Sequence, residues 1–305
     1  MSRIYEALQR AELERKASRE SELLPIVDPE VIPGIDEPAA ADVAVLGNIA
    51  QYPWESSTSF FPALAERGET VEQFRSLRSR VQRARDEAPL KTILISSGMR
   101  AEGKTFVAAN LAISLARNSA NHILLIDGDL RRPAIHSLLG APNTPGLSEY
   151  LAGTAGLYEI MQRDRGSKTI ESAAARSISN LTFIPAGKCG DASSELVANH
   201  RIEKLISTLS PHFDWILIDS PPVLVVTDAV ELARAADAVL LVARAASTPF
   251  DVAQHALAAF GNSRILGFVL NDVKDVPRTG PYYYYGAGEE SGDATNRGKD
   301  MRRKG

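Results

Sequence analysis

A glycine, four further residues and then Gly-Lys-Thr is a spacing with a mechanical meaning. Here it reads GMRAEGKT, with Gly98, Gly103, Lys104 and Thr105 at the defining positions. Backbone N–H groups of such a loop, and of the helix it opens, converge on an anion, because unpaired donors and the helix dipole both favour phosphate oxygens. Gly103 permits close backbone approach, Lys104 can reach the β and γ phosphates, and the Thr105 hydroxyl can ligate Mg²⁺. The apolar run TILISS precedes the loop and the helical pattern GKTFVAANLAISLARN follows it. That is the strand, loop and helix context the motif requires.

Two other apolar runs end in carboxylates: HILLIDGDLRRP delivers Asp127 and Asp129, and WILIDSPP delivers Asp219. In open parallel sheets ligands sit beyond the carboxyl ends of the strands, so these acids are expected to face the loop and to handle Mg²⁺ and protons. Near the other terminus stands GPYYYYGAG, in which Tyr282, Tyr283, Tyr284 and Tyr285 crowd together with no apolar face to join. A phenol has a pKa near 10, so about one in a thousand is ionised at pH 7. A carboxylate that takes its proton, with Mg²⁺ on the phosphates, would assist in-line transfer.

The positioning elements follow from the pattern. Besides TILISS and HILLID, the runs LTFIPA, WILIDS, AVLLVA and ILGFVL are nearly continuous in apolar residues. Strands covered by helices on both faces read in this way. Segments with helical spacing, such as TVEQFRSLRSRVQRARDE and SELVANHRIEKLISTLS, separate them. The expected fold is α/β: a doubly wound, mostly parallel sheet over residues 69–277. Residues 1–20 read as a short amphipathic helix, 21–68 as a Pro- and acid-rich, mostly disordered linker, and 278–305 as a flexible tail carrying the tyrosines. A formal charge of −4 gives no reason to expect nucleic acid. One cysteine, Cys189, excludes an internal disulfide framework. No apolar run approaches the ~20 residues that span a bilayer, so a soluble chain is expected, with any membrane connection made through a partner.

Together these motifs resemble the bacterial tyrosine kinases of polysaccharide synthesis, the BY-kinases, whose P-loop fold is related to the MinD and ParA ATPases. The resemblance covers about residues 68 to 286. It identifies GMRAEGKT as a Walker A motif, ILLIDGDLRRP as Walker A′ and ILIDSPP as Walker B, and GLSEYLAG and FIPAGK look like family segments. It implies ATP and Mg²⁺, held by Gly98, Arg100, Ala101, Glu102, Gly103, Lys104, Thr105 and Phe106, with Asn271 of GFVLNDV at adenine. It makes Lys104, Asp127, Asp129 and Asp219 catalytic, with Thr105, Asp129 and Asp219 around the metal and Asp127 as the proton acceptor. Tyr282 to Tyr285 become phosphoacceptors entering a neighbouring subunit. Glu72, Arg75 and Arg78 match E-x-x-R-x-x-R, which such kinases use to assemble homo-oligomeric rings. A transmembrane polysaccharide co-polymerase would be the activating partner, at the inner face of the cell membrane. The resemblance thus implies an autokinase that regulates capsular or exopolysaccharide synthesis and export.

Departures bear on the alternatives. Relatives have Pro-Gly where this loop has Arg100 and Ala101, and Ala101 lacks glycine's freedom at positive φ. A nucleotide-binding scaffold without transferase activity is one alternative reading. A positioning ATPase of the MinD or ParA type is another, although the lysine expected of ParA-like loops is Met99 here. Arg131 and Arg132 could meet phosphate or a neighbouring subunit, or serve in helix-capping or surface pairing. The five histidines show no metal-ligand spacing.

Overall fold

A computed structural model describes residues 49–54, 59–118, 120–165, 178, 180–188, 193–197 and 201–274. The tyrosine cluster and the expected N-terminal helix lie outside them.

Eight strands form one sheet among the described residues. In chain order they are β1 (Ala50–Tyr52), β2 (Thr92–Ser97), β3 (Ile123–Asp127), β4 (Gln162–Asp164), β5 (Leu181–Ile184), β6 (Trp215–Asp219), β7 (Ala238–Arg244) and β8 (Ile265–Asn271). Their order across the sheet is β1-β4-β5-β3-β6-β2-β7-β8. Neighbours run parallel except β4 against β5, which is antiparallel. The helices are α1 (Glu69–Glu87), α2 (Lys104–Ala116), α3 (Ile135–Leu139), α4 (Leu147–Ala152), α5 (Ser193–Val197), α6 (Arg201–Leu209), α7 (Asp228–Ala233) and α8 (Phe250–Ala259). The expected doubly wound, mostly parallel sheet is what the chain forms.

The sheet divides the core in two. Ile93 and Ile95 of β2 join Leu240 and Val242 of β7 on the side of α1 and α2. Leu94, Val239 and Leu241 face the opposite side, with Leu205, Leu232 and Phe260. Alternate residues of one strand thus serve two apolar layers, which is why these strands lack polar alternation. Helix α2 is buried at every residue from Val107 to Ala116. Its alanines at 108, 109, 112 and 116 let it lie close to the sheet while α1 covers its outer face. There the Phe74 and Phe106 rings meet edge-on, with centroids 5.7 Å apart.

The expected linker, 21–68, needs correction over residues 49–54 and 59–68. Ala50–Tyr52 is an edge strand, paired in parallel with Gln162–Asp164. Phe61, Ala63 and Leu64 are buried in the layer around α2. Buried Asn110 of α2 accepts from the Ala63 N–H at 3.1 Å and donates to the Phe60 carbonyl at 3.1 Å. Arg117 donates to the Ala63 and Ala65 carbonyls at 2.8 and 2.7 Å. These side chains, ~50 positions along the chain, satisfy backbone groups that an irregular segment would otherwise bury unpaired.

Phe61 is fully buried, so Phe61→Ala is expected to cost about 3 to 5 kcal/mol in chemical denaturation. An unattached linker residue would leave the midpoint unmoved.

Candidate active site

The loop after β2 enters α2 at Gly103, whose φ is +91°. A Cβ there would stand 1.9 Å from Asn271 Nδ2, so glycine is required by both torsion and space. Asn271 itself donates to the Glu102 carbonyl at 3.0 Å, joining the end of β8 to the loop. The Glu102 side chain is buried and accepts the Met99 N–H at 2.7 Å. It also accepts the Thr248 hydroxyl, which in turn takes the Arg244 N–H at 2.8 Å. The loop is therefore clamped from the ends of β7 and β8. Ala101 lies at φ +63°, so this chain adopts the left-handed turn without glycine. That conformation costs an alanine about 1 to 2 kcal/mol.

The acids are assembled by strand register. Asp127, last in β3, pairs directly with Asp219, last in β6, and Asp219 also lies across from Ile95 of β2. The Thr105 hydroxyl donates to Asp219 Oδ2 at 2.6 Å, and Lys104 Nζ donates to Asp129 Oδ2 at 3.0 Å. Asp127 Oδ2 accepts the Ala134 and Ile135 N–H groups, each at 3.1 Å, and Oδ1 accepts the Asp129 N–H at 3.3 Å. Gly128 allows the two strand ends to close: its N–H donates to the Asp219 carbonyl at 2.9 Å. A Cβ at Gly128 would meet that oxygen at 2.6 Å.

Burial of like charge sets the proton affinities. Burial, reinforced by the Asp219 charge, pushes the Asp127 carboxyl up to about 8 against its backbone donors. Asp219 is also raised by burial, less far, because Lys104 and the Thr105 hydroxyl favour its charged form. Burial alone would depress Lys104, but Asp219 and Asp129 outweigh it and hold the ammonium charged.

The site residues expected from the sequence separate into groups. Lys104, Thr105, Asp127, Asp129 and Asp219 come together below the loop Gly98–Gly103, with Asn271 at its side. Phe106 turns its ring away into the contact with Phe74, leaving only its backbone for a ligand. On α1, Glu72 pairs with Arg75, which also donates to the Glu66 carbonyl at 3.1 Å. Arg78 points inward and donates to the Ser114 carbonyl near the end of α2 at 2.7 Å. Burial, with the charges of Arg75 and Arg117, lowers its pKa. Sequence reasoning named Glu102 only as part of the nucleotide loop and missed Thr248 and the clamp between the two. Their separation of 146 positions leaves no local signal.

Asp219 Oδ1 is buried without a partner among the described residues. An acceptor left open beside a threonine hydroxyl suits a hard cation. Among the described residues no cluster of three or more His, Cys, Asp or Glu could enclose a metal. Mg²⁺ needs none, since it takes one or two carboxylates together with substrate phosphates.

Comparison with known proteins bears on the family and the fold. The family model described as an AAA domain, AAA_31, matches residues 90–258. The chain is 30% identical over 217 residues to the tyrosine-protein kinase YwqD of Bacillus subtilis, covering 70% of this chain and 86% of that protein. It is 34% identical over 205 residues to the tyrosine-protein kinase wzc of Salmonella typhimurium, covering 67% of this chain but only 27% of that longer protein. Among solved structures, the kinase domain of the Escherichia coli tyrosine kinase ETK superposes with a TM-score of 0.64 at 30% identity. That match covers 74% of this chain and 85% of the other.

Two substitutions test the loop. Gly103→Ala is expected to weaken Mg·ATP binding by about tenfold or more in titration calorimetry, since the new Cβ displaces Asn271. Ala101→Gly is expected to raise stability by about 1 kcal/mol in urea, as relief of left-handed strain exceeds the added freedom of the unfolded chain.

Proposed function

The chain belongs to the bacterial tyrosine-kinase family, with an AAA domain at its centre, and from that premise we propose that it transfers the γ-phosphoryl group of ATP to Tyr282–Tyr285 of a neighbouring copy. The observation that carries this reading is the convergence of Lys104, Thr105, Asp127, Asp129 and Asp219 at one end of the sheet, under a loop built for phosphate.

The loop N–H groups and Lys104 would hold the β and γ phosphates, and Lys104 can exchange Asp129 for a phosphate oxygen without leaving its place. Thr105 and Asp219 would hold Mg²⁺, with Asp129 next to them; the ion would supply neutralising charge on the phosphates. In the transfer, a bond forms from tyrosine Oη to the γ-phosphorus while the bond from that phosphorus to the β–γ bridging oxygen breaks. The hydroxyl proton goes to Asp127, whose raised proton affinity suits the task. Its Oδ1, held only by the longer contact from Asp129, is the oxygen for that proton.

Among the described residues no helix is long and apolar enough to cross a membrane. The proposal includes a cytoplasmic chain brought to the membrane by a transmembrane activator, assembling as a homo-oligomeric ring through Glu72, Arg75 and Arg78. Its phosphorylation would regulate capsular or exopolysaccharide synthesis and export. Several phosphates on adjacent tyrosines, each adding roughly 1.5 to 2 negative charges, would repel one another and the buried acids of the site, and so release the tail.

Incubating the full chain with Mg·ATP and analysing the tail by mass spectrometry tests the reading. Phosphotyrosine is expected at 282–285, falling by roughly a hundredfold or more in Lys104→Ala. Phosphate release with an unlabelled tail would instead mark a positioning ATPase.

A further inference from the structure

The catalytic end of the sheet carries cations that the transfer step does not use. Arg132 stands three residues beyond Asp129, and its backbone N–H donates to Asp129 Oδ1 at 3.1 Å. Its side chain is exposed and makes no hydrogen bond or ion pair among the described residues. Lys188, four residues past β5, is likewise exposed; its backbone N–H goes to Glu149 Oε1 at 2.9 Å, and its ammonium has no partner among the described residues. Arg131, next to Arg132 in the chain, is anchored, its Nε 3.0 Å from the buried carboxylate of Asp228. Strands β3 and β5 are parallel neighbours, so the segments that carry all three leave the same end of the sheet and form its rim there.

Among the described residues, the nearby acids do not cancel that rim. Asp127, Asp129 and Asp219 are buried beneath it, and Asp129 is matched by Lys104. Glu149 spends its carboxylate on the Gly146 and Lys188 N–H groups and the Ser148 hydroxyl. The rim therefore presents positive charge outward.

The tail has the opposite pattern. After Tyr285 come Gly286, Ala287 and Gly288, then Glu289, Glu290 and Asp293, and basic residues resume only at Arg297. The four residues from Tyr285 to Glu289 reach about 14 Å when extended, so the acidic segment can be held that far from the tyrosines it delivers.

We propose that Arg132 and Lys188, with Arg131 fixed beside them, dock the acidic segment Glu289–Asp293 of a second copy of this chain and so deliver its tyrosines. The use made of the docked tyrosines rests on the kinase reading; the docking needs only the charges. A second copy is favoured over the chain's own tail by topology. The tail leaves from β8, and β7, β2 with its phosphate loop, and β6 lie between β8 and β3. A chain's own tail therefore starts on the far side of the phosphate loop from this rim, whereas another copy can approach from the β5 side. Rim charges of this kind act chiefly on association and weaken with salt.

The test uses full-length chains: a Lys104→Ala tail donor, and an enzyme whose four tail tyrosines are replaced by Phe. A fluorescent peptide of residues 280–293 is titrated onto the enzyme, and phosphate transfer to the donor is followed separately. Arg132→Glu with Lys188→Glu in the enzyme is expected to weaken peptide binding about fivefold and transfer about tenfold, with Mg·ATP affinity unchanged. Glu289→Lys with Glu290→Lys, in peptide and donor, should restore both on the reversed surface. Raising salt from about 50 to about 300 mM should weaken the native pair. Absent peptide binding, indifference to the reversed charges, no recovery in the swapped pair, or labelling confined within single chains overturns the docking. Charge-dependent peptide binding without transfer in any pairing would uphold the docking and sink the kinase reading. Transfer that ignores the rim charges would do the reverse.

Discussion

Three carboxylates, Asp127, Asp129 and Asp219, are buried at one end of the sheet, and burying like charge so densely requires compensation from within the same few residues. Lys104 meets Asp129, Thr105 meets Asp219, and backbone N–H groups of the turn after β3 meet Asp127. The compensation is incomplete. Asp219 keeps an oxygen without a partner among the described residues, and Asp127 is held at a raised proton affinity. An incompletely neutralised cluster under a phosphate-shaped loop suits a cation and a transferable proton. Stability and chemistry here depend on the same charges.

The sheet's strand order makes this cluster possible. Placing β6 between β3 and β2 brings the Asp127 and Asp219 ends into register and sets the loop after β2 next to them. A parallel sheet points these strand ends the same way, so separated sequence segments deliver side chains to one surface. The apolar layers on each face hold the strands rigidly, and loops carry the chemistry.

The phosphate loop shows how a chain can hold a left-handed turn without glycine. Ala101 takes a left-handed torsion that glycine would adopt without strain. Contacts from Thr248 and Asn271 to Glu102 hold that shape from outside the loop. Residues far from the motif can thus carry a cost that the motif incurs.

The amino-acid sequence by itself determined whatever depends on contiguous residues: the loop spacing, the apolar strands ending in acids, the helix that follows the loop and the α/β class. Local spacing and periodicity suffice for these because the relevant atoms belong to neighbouring residues. Only the tertiary structure decided that Phe61–Leu64 belongs to the core, that Phe106 and Arg78 face inward, and that Glu102 is clamped by Thr248. It also decided which acids share a register and which cations form a rim. Each of those outcomes is a contact between residues tens to more than a hundred positions apart, and such contacts leave no periodic trace in the chain. They exist because buried polar groups must find partners wherever folding happens to bring donors and acceptors together.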